Sequence, residues 1–241
     1  MADLPKRELG RTGLRVTMLG YGAMELRGAP RARPTTEEQA ETILNAVLDA
    51  GINYIDTSID YGVSEERIGR YISHQRSDYY LASKCGCLVG APTAPVGQTS
   101  PHVFTRDNII AGVEQSLQRM KTDYLDVVQF HISPSKQTLE NNGAIDAVMD
   151  LKQSGKVRFI GMSGTLPHLK DHIAMGIFDV FQVPTQQWNA SMRQSSPQHP
   201  LPELGLSFAV APQRVRHRRI SRKACSGSDG SRPVSMACVA T

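Results

Sequence analysis

Long apolar runs are absent from this 241-residue chain. No stretch approaches the roughly 18 consecutive apolar residues that a bilayer-spanning helix requires. The first ten residues, MADLPKRELG, have no apolar core of the kind a secretory signal carries. A cytoplasmic protein with no membrane partner is therefore expected. Cysteine is scarce as well. The 4 cysteines form one Cys85-x-Cys87 pair and two distant singles, Cys225 and Cys238, a spacing that fits neither the CxxC pairs of zinc sites nor a dense disulfide framework. Free thiols are expected, and no metal-binding set. The remaining composition, with 40% hydrophobic residues and 20 glycines, is that of an ordinary globule and excludes collagen-like and disordered classes.

Charge of one sign is missing from most of the chain too. The formal net charge is +4, yet residues 195–241 hold seven Lys and Arg against two acids, Glu203 and Asp229, so the whole excess lies in the last 47 residues. That stretch has five Pro, eight Ser and a single aromatic, Phe208, with no sustained helical or alternating period. Its basic run, Gln213 to Arg219, has no interleaved aromatics and no recognisable fold around it, so no nucleic-acid partner is expected. Two segments follow: a body over 1–190, and an atypical basic Pro/Ser-rich tail over 191–241, expected to be poorly ordered.

Within the body, short β-rich runs alternate with longer helical ones. Strands are predicted over 17–22, 53–56, 79–84, 124–131, 156–163 and 179–183. Helices are predicted from a Thr35-x-x-Glu38 capping box to about 50, over 64–74, over 106–120 after a Thr105 cap, over 138–153, and over 167–175. Such alternation argues for a parallel sheet of βαβ units. An open dinucleotide-binding sheet needs Gly-x-Gly-x-x-Gly after its first strand, but Gly20-Tyr21-Gly22 is followed by Ala23-Met24-Glu25, and the third glycine is missing. A (β/α)8 barrel instead needs functional side chains at the C-terminal ends of several strands. Four successive predicted strands end in Asp56, Lys84, His131 and Ser163. The expected fold is therefore an α/β (β/α)8 barrel with about six βα units recognisable and the last two missing or atypical.

Several pieces occur in a distinctive order. They are Arg7 to Leu14 with Leu19 to Met24, Asn53-Tyr54-Ile55-Asp56-Thr57, Asp60-Tyr61-Gly62 with Ser64-Glu65, and Leu81-Ala82-Ser83-Lys84. Then come Asp123-Tyr124-Leu125-Asp126 leading to His131, Gly155 to Arg158 with Ile160 to Ser163, and Gln182. Over about residues 7–190 the chain resembles the aldo-keto reductases, a family of NAD(P)H-dependent barrel oxidoreductases. The resemblance implies reduction of a small aldehyde or ketone, with NADPH as the expected cofactor and NADH as the alternative. It implies Asp56, Tyr61, Lys84 and His131 as the catalytic set. It also implies cofactor contacts from Gly22, Ala23, Met24, Asp56, Ser163 and Gln182, with Gly164 standing where the family carries Asn.

The residue types suit that chemistry. Carbonyl reduction needs a hydride and a proton for the developing alkoxide. A phenol such as Tyr61 titrates at about 10 and gains from a nearby cation. Lys84 could supply that charge, with Asp56 holding the amine ionised. His131 could hydrogen-bond the oxyanion. Taken singly, Asp56 could equally cap a turn, Lys84 be a solvated rim charge, His131 a core histidine, and Tyr61 a packing residue.

The segment Cys85 to Phe104 is long for a connection and holds Gly90, Pro92, Pro95 and Gly97; a lid over the substrate is expected of it. The loss of pattern after about 190 reads as a truncated or altered end, from a shifted frame or altered splice of a longer gene. A catalytically impaired barrel fragment serving as a binding or interaction module is accordingly the alternative function.

Overall fold

The structure, a computed structural model, describes residues 4–29, 34–92, 94, 98, 100–184, 208–209 and 236–239. The chain enters through a hairpin that periodicity does not signal. Strands β1 (Lys6–Glu8) and β2 (Arg15–Thr17) pair antiparallel across a turn containing Gly10 and Gly13. The strand predicted over 17–22 breaks at Met18, and β3 runs over Leu19–Gly22. A 3-10 turn, Ala23–Arg27, leaves it.

The βα units follow in chain order. They are α1 (Glu37–Asp49), β4 (Tyr54–Asp56), α2 (Ser64–Tyr71), β5 (Tyr80–Cys85), α3 (Arg106–Met120) and β6 (Leu125–Phe130). Then come α4 (Lys136–Asn141), α5 (Ala144–Gln153), β7 (Val157–Ser163), α6 (Leu169–Met175) and β8 (Val180–Gln182). Strands β3 to β8 hydrogen-bond in that order, each parallel to the next.

Several boundaries depart from expectation for local reasons. The capping box lies one residue later than predicted: Thr36 and Gln39 bond each other's backbone N–H, while the Thr35 hydroxyl donates to the Glu25 carbonyl at 3.0 Å. The helix predicted over 138–153 is two helices, because Gly143 at φ 68° interrupts it and Ser135 caps the first piece. Helix α2 stops at Tyr71 and a 3-10 turn, Ser73–Asp78, takes over.

Period-two alternation sorts the strand residues between two cores. Ile55, Leu81, Val128, Ile160 and Phe181 pack with helix residues such as Leu44, Ile68, Ile109, Val113 and Val148. Tyr54, Ala82, Val127 and Val180, on the other face, pack with Leu9, Leu14 and Val16 of the hairpin. The hairpin thus floors the interior with apolar side chains, each worth about 1.5–3 kcal/mol when fully buried. Asp126 secures the outer side of β6: its buried carboxylate accepts from Arg76 (2.7 Å), Arg158 (2.6 Å) and the Leu81 N–H (2.9 Å).

At the other end of the sheet, β10 (Met236–Val239) pairs antiparallel with β3 and with β9 (Phe208–Ala209). Among the described residues, six parallel strands are present, and an antiparallel strand covers the edge of β3 where a closed barrel would place a parallel one. Apart from Phe208–Ala209 and Met236–Val239, the 191–241 tail, with its expected disorder, lies outside the described residues.

Helices α2 and α3 cross at Gly69, where a Cβ would lie 2.1 Å from the Arg119 carbonyl oxygen and 2.8 Å from the Met120 Cα. Gly to Ala in an exposed helix interior stabilises by about 1 kcal/mol. Here the backbone clash wins, and Gly69→Ala is expected to destabilise by about 1–3 kcal/mol, read as a lower midpoint in urea unfolding with the slope unchanged.

Candidate active site

Above the apolar floor the same inward-facing positions turn polar. Asp56 ends β4, Lys84 sits near the end of β5, Gln129 near the end of β6, Ser163 ends β7 and Gln182 ends β8. Four of them meet at one carboxylate. The Lys84 ammonium donates to Asp56 Oδ2 at 2.7 Å and to the Thr57 carbonyl at 2.8 Å. The Gln129 amide donates to Asp56 Oδ1 at 2.8 Å, and the Gln182 amide to Oδ2 at 3.2 Å. The Lys84 and Asp56 side chains are 2% and 6% exposed, so this is a buried ion pair rather than a rim contact. Burial alone would pull the Lys84 amine down, but Asp56 chiefly, with Tyr61 and Asp60, overrides it and holds the group above the ordinary lysine range.

Tyr61 lies on the turn that links β4 to α2. Its ring has the Lys84 Nζ 5.0 Å from its centroid, the Arg27 guanidinium at 5.4 Å and the His131 ring edge-on at 6.2 Å. Burial pushes the phenol above its ordinary value, Lys84 pulls it back, and Asp56 and Asp60 add to the rise; the hydroxyl is protonated at neutral pH. Gly62 makes this turn possible. It holds φ 53°, and a Cβ there would sit 2.1 Å from the Arg27 carbonyl oxygen.

His131 was expected as the last residue of its strand. The strand ends at Phe130, and His131 follows it, its N–H donating to the Cys85 carbonyl at 3.1 Å. Burial pulls its imidazole well below the usual histidine range, Lys84 and His102 lower it further, and Asp60 only partly opposes. The ring is neutral, so its 3.7 Å approach to Asp60 is not an ion pair. Its Nδ1 instead meets Cys87 Sγ and His102 Nε2, each at 3.2 Å.

The expected cofactor residues line the same rim. Gly22 is in register with Asp56, and Ser163 with Gln182. A Cβ on Gly22 would meet nothing within 4 Å, so open space lies over it. Ala23 is buried and its carbonyl accepts from Ser64; Met24 sits beside it in the 3-10 turn. At Gly164 the backbone N–H donates to the Gln182 carbonyl at 2.9 Å.

Four contributors escaped the sequence: Gln129, Arg27, Cys87 and His102. Gln129 is inside an apolar-looking strand, and only its inward parity, two residues before His131, marks it. Arg27 reaches Tyr61 from another loop. Cys87 and His102 face each other across the 85–104 excursion, whose two arms are joined by Leu88 N–H to Pro101 O (2.9 Å) and Val103 N–H to Gly86 O (2.7 Å). Cys85 and Cys87 are both buried free thiols. Cys225 lies outside the described residues, as do Pro95 and Gly97 of the expected lid.

Comparison with known proteins bears on what this site is. A model of the aldo/keto reductase family matches residues 18–183. L-galactose dehydrogenase of Arabidopsis thaliana is 32% identical over 191 residues, covering 75% of this chain and 56% of that protein. 6-dehydroglucose reductase of Novosphingobium aromaticivorans is 32% identical over 190 residues, covering 72% and 56%. The chain thus spans little more than half the length of these curated relatives. Among solved structures, the holo form of an aldo-keto reductase from Bacillus halodurans superposes with a TM-score of 0.63 at 26% identity, covering 83% of this chain and 71% of that one.

Removing one partner of a buried ion pair costs more than removing both, because a lone charge is left in the interior. Asp56→Ala is expected to lower stability by about 3–5 kcal/mol, and Asp56→Ala with Lys84→Met to recover most of that loss. Urea unfolding of the two single variants and the double variant measures the coupling.

Proposed function

The chain belongs to the aldo/keto reductase family, and from that premise we propose that it reduces an aldehyde or ketone to the alcohol with a nicotinamide cofactor. The observation that carries the reading is the buried Lys84–Asp56 pair at 2.7 Å, with its ammonium 5.0 Å from the Tyr61 ring. Tyr61 hands its phenolic proton to the carbonyl oxygen. The raised phenol is a competent acid at neutral pH, and the phenolate it leaves is stabilised by Lys84, whose charge Asp56 secures. Asp56 is itself braced by Gln129 and Gln182. His131 is neutral, and its Nδ1 is engaged with Cys87 and His102. Its Nε2 is therefore the atom that orients the substrate oxygen.

Bound at this rim, the cofactor supplies the hydride. The residues present fit its nicotinamide end. Gly22, Ala23 and Met24 offer backbone at this rim, with open space over Gly22, and Ser163 and Gln182 stand side by side to hold the carboxamide. NADPH is the proposed form, with NADH the alternative. The substrate is a small carbonyl compound; two of the relatives are named for sugars, which makes sugar carbonyls the first to assay. No helix among the described residues is long and apolar enough to cross a membrane, and a cytoplasmic location remains part of the proposal.

Calorimetry with NADPH and NADH, followed by aldehyde-dependent NADPH oxidation, tests the reading. Tyr61→Phe is expected to lower turnover by at least about 100-fold while leaving cofactor affinity within a factor of about two, since the ring and its packing are kept. A folded protein that binds neither nucleotide would support the alternative, a barrel fragment acting as a binding module, for which the six parallel strands among the described residues argue. The 85–104 excursion at the rim is proposed as a lid. Limited proteolysis with NADPH should protect it, and identical cleavage with and without the nucleotide would remove that role.

A further inference from the structure

One cluster at the rim has three members that the reductase chemistry does not use, and it shares only His131 with that chemistry. Asp60 Oδ1, Cys87 Sγ, His102 Nε2 and His131 Nδ1 converge, and all four ligand atoms lie within 4.8 Å of one another. The separations are Cys87 to His131 3.2 Å, Cys87 to His102 3.5 Å, His102 to His131 3.2 Å and His131 to Asp60 3.7 Å. With Zn–S of about 2.3 Å and Zn–N of about 2.0–2.1 Å, the edges of a tetrahedron are roughly 3.5 Å for S···N and roughly 3.3 Å for N···N or N···O. Four of the six edges of the cluster lie near these values, and the two from Asp60 to Cys87 and His102 are within 4.8 Å.

Outer partners aim the ligands. His102 Nδ1 lies 2.6 Å from the Ser100 carbonyl, a bond in which it must donate, so Nε2 is left as a lone pair pointing into the cluster. The Ser58 hydroxyl donates to Asp60 Oδ1 at 2.5 Å. Such second partners are the usual companions of metal-binding histidines and carboxylates. Without an ion the two imidazole nitrogens, 3.2 Å apart, have room for one proton between them. Cys87 is left to a long Ser58 contact of 3.7 Å and whatever the imidazoles leave it.

We propose that Asp60, Cys87, His102 and His131 form a tetrahedral site for a divalent cation of the zinc type. One thiolate, one carboxylate and two imidazoles make a borderline-soft set that suits Zn2+ over Mg2+ or Ca2+. A thiolate and a carboxylate also balance the charge of the ion. Four protein ligands make a closed, structural site. The ion ties both arms of the 85–104 excursion, through Cys87 and His102, to the β4–α2 turn and to the end of β6. It leaves His131 Nε2 free, so the site coexists with the proposed carbonyl chemistry and stands independently of it.

Cobalt is the probe. The full chain, stripped with a chelator and titrated with Co2+, is expected to saturate at one equivalent with the visible bands of tetrahedral Co2+ and a near-ultraviolet thiolate-to-cobalt band, and Zn2+ should displace it. Cys87→Ser is expected to lose the thiolate band. His102→Ala, on the excursion and outside the sheet, is expected to keep the wild-type circular dichroism and to weaken binding at least about tenfold. Absence of tetrahedral bands at stoichiometric cobalt overturns the proposal, as does an unchanged cobalt spectrum in both variants, which would place the ion at other cysteines. Nucleotide binding is measured on the same samples, so failure of the metal site and failure of the reductase reading are separate results.

Discussion

A single carboxylate organises the upper half of the sheet. Asp56 receives Lys84 at 2.7 Å, Gln129 at 2.8 Å and Gln182 at 3.2 Å, joining residues from β4, β5, β6 and β8. In a region this dry an unpaired ammonium would cost several kcal/mol, so Lys84 is charged only because Asp56 is there, and Asp56 is held in place by two amides. The position of Lys84 in turn sets the field at Tyr61. A chain of dependence therefore runs from Gln129 and Gln182 to Asp56, then to Lys84, then to the phenol.

That polar layer rests on an apolar one. The interior changes character within one strand residue pair: Tyr54, Ala82, Val127 and Val180 face the hairpin residues Leu9, Leu14 and Val16, while Asp56, Lys84, Gln129 and Gln182 lie two residues further along. The glycine at 161 separates the layers, since a Cβ there would come within 2.8 Å of Gln129 Cγ. The hairpin and the outer helices supply burial, and the C-terminal strand ends are left for polar groups. This division between a stability face and a chemistry face is general to such barrels. Among the described residues it holds with six parallel strands and an antiparallel strand at the β3 edge.

The rim also gathers groups with no common period. Asp60, Cys87, His102 and His131 come from three different connections, and Cys87 is fifteen residues from His102 in the chain. Their convergence follows from two facts of parallel βα topology: every connection after a strand returns to the same end, and neighbouring strands are about 4.8 Å apart. A thiol and an imidazole on adjacent loops are brought within contact distance without any local motif.

Alternation, caps and turn residues made the βα order readable, because each of those signals acts over a few residues. So the sequence by itself determined six parallel strands with their helices in order, the strand ends at Asp56 and Ser163, the end near Lys84 to within one residue, and the family to which the motifs belong. It could not determine the split at Gly143, the hairpin floor or the antiparallel cover on β3, each of which depends on what packs alongside. The tertiary structure alone decided that Gln129 joins the Asp56 network and that His131 meets Cys87 and His102. Parity along a strand shows which side a residue faces, but the distance to a side chain seventy residues away is set by the register of neighbouring strands.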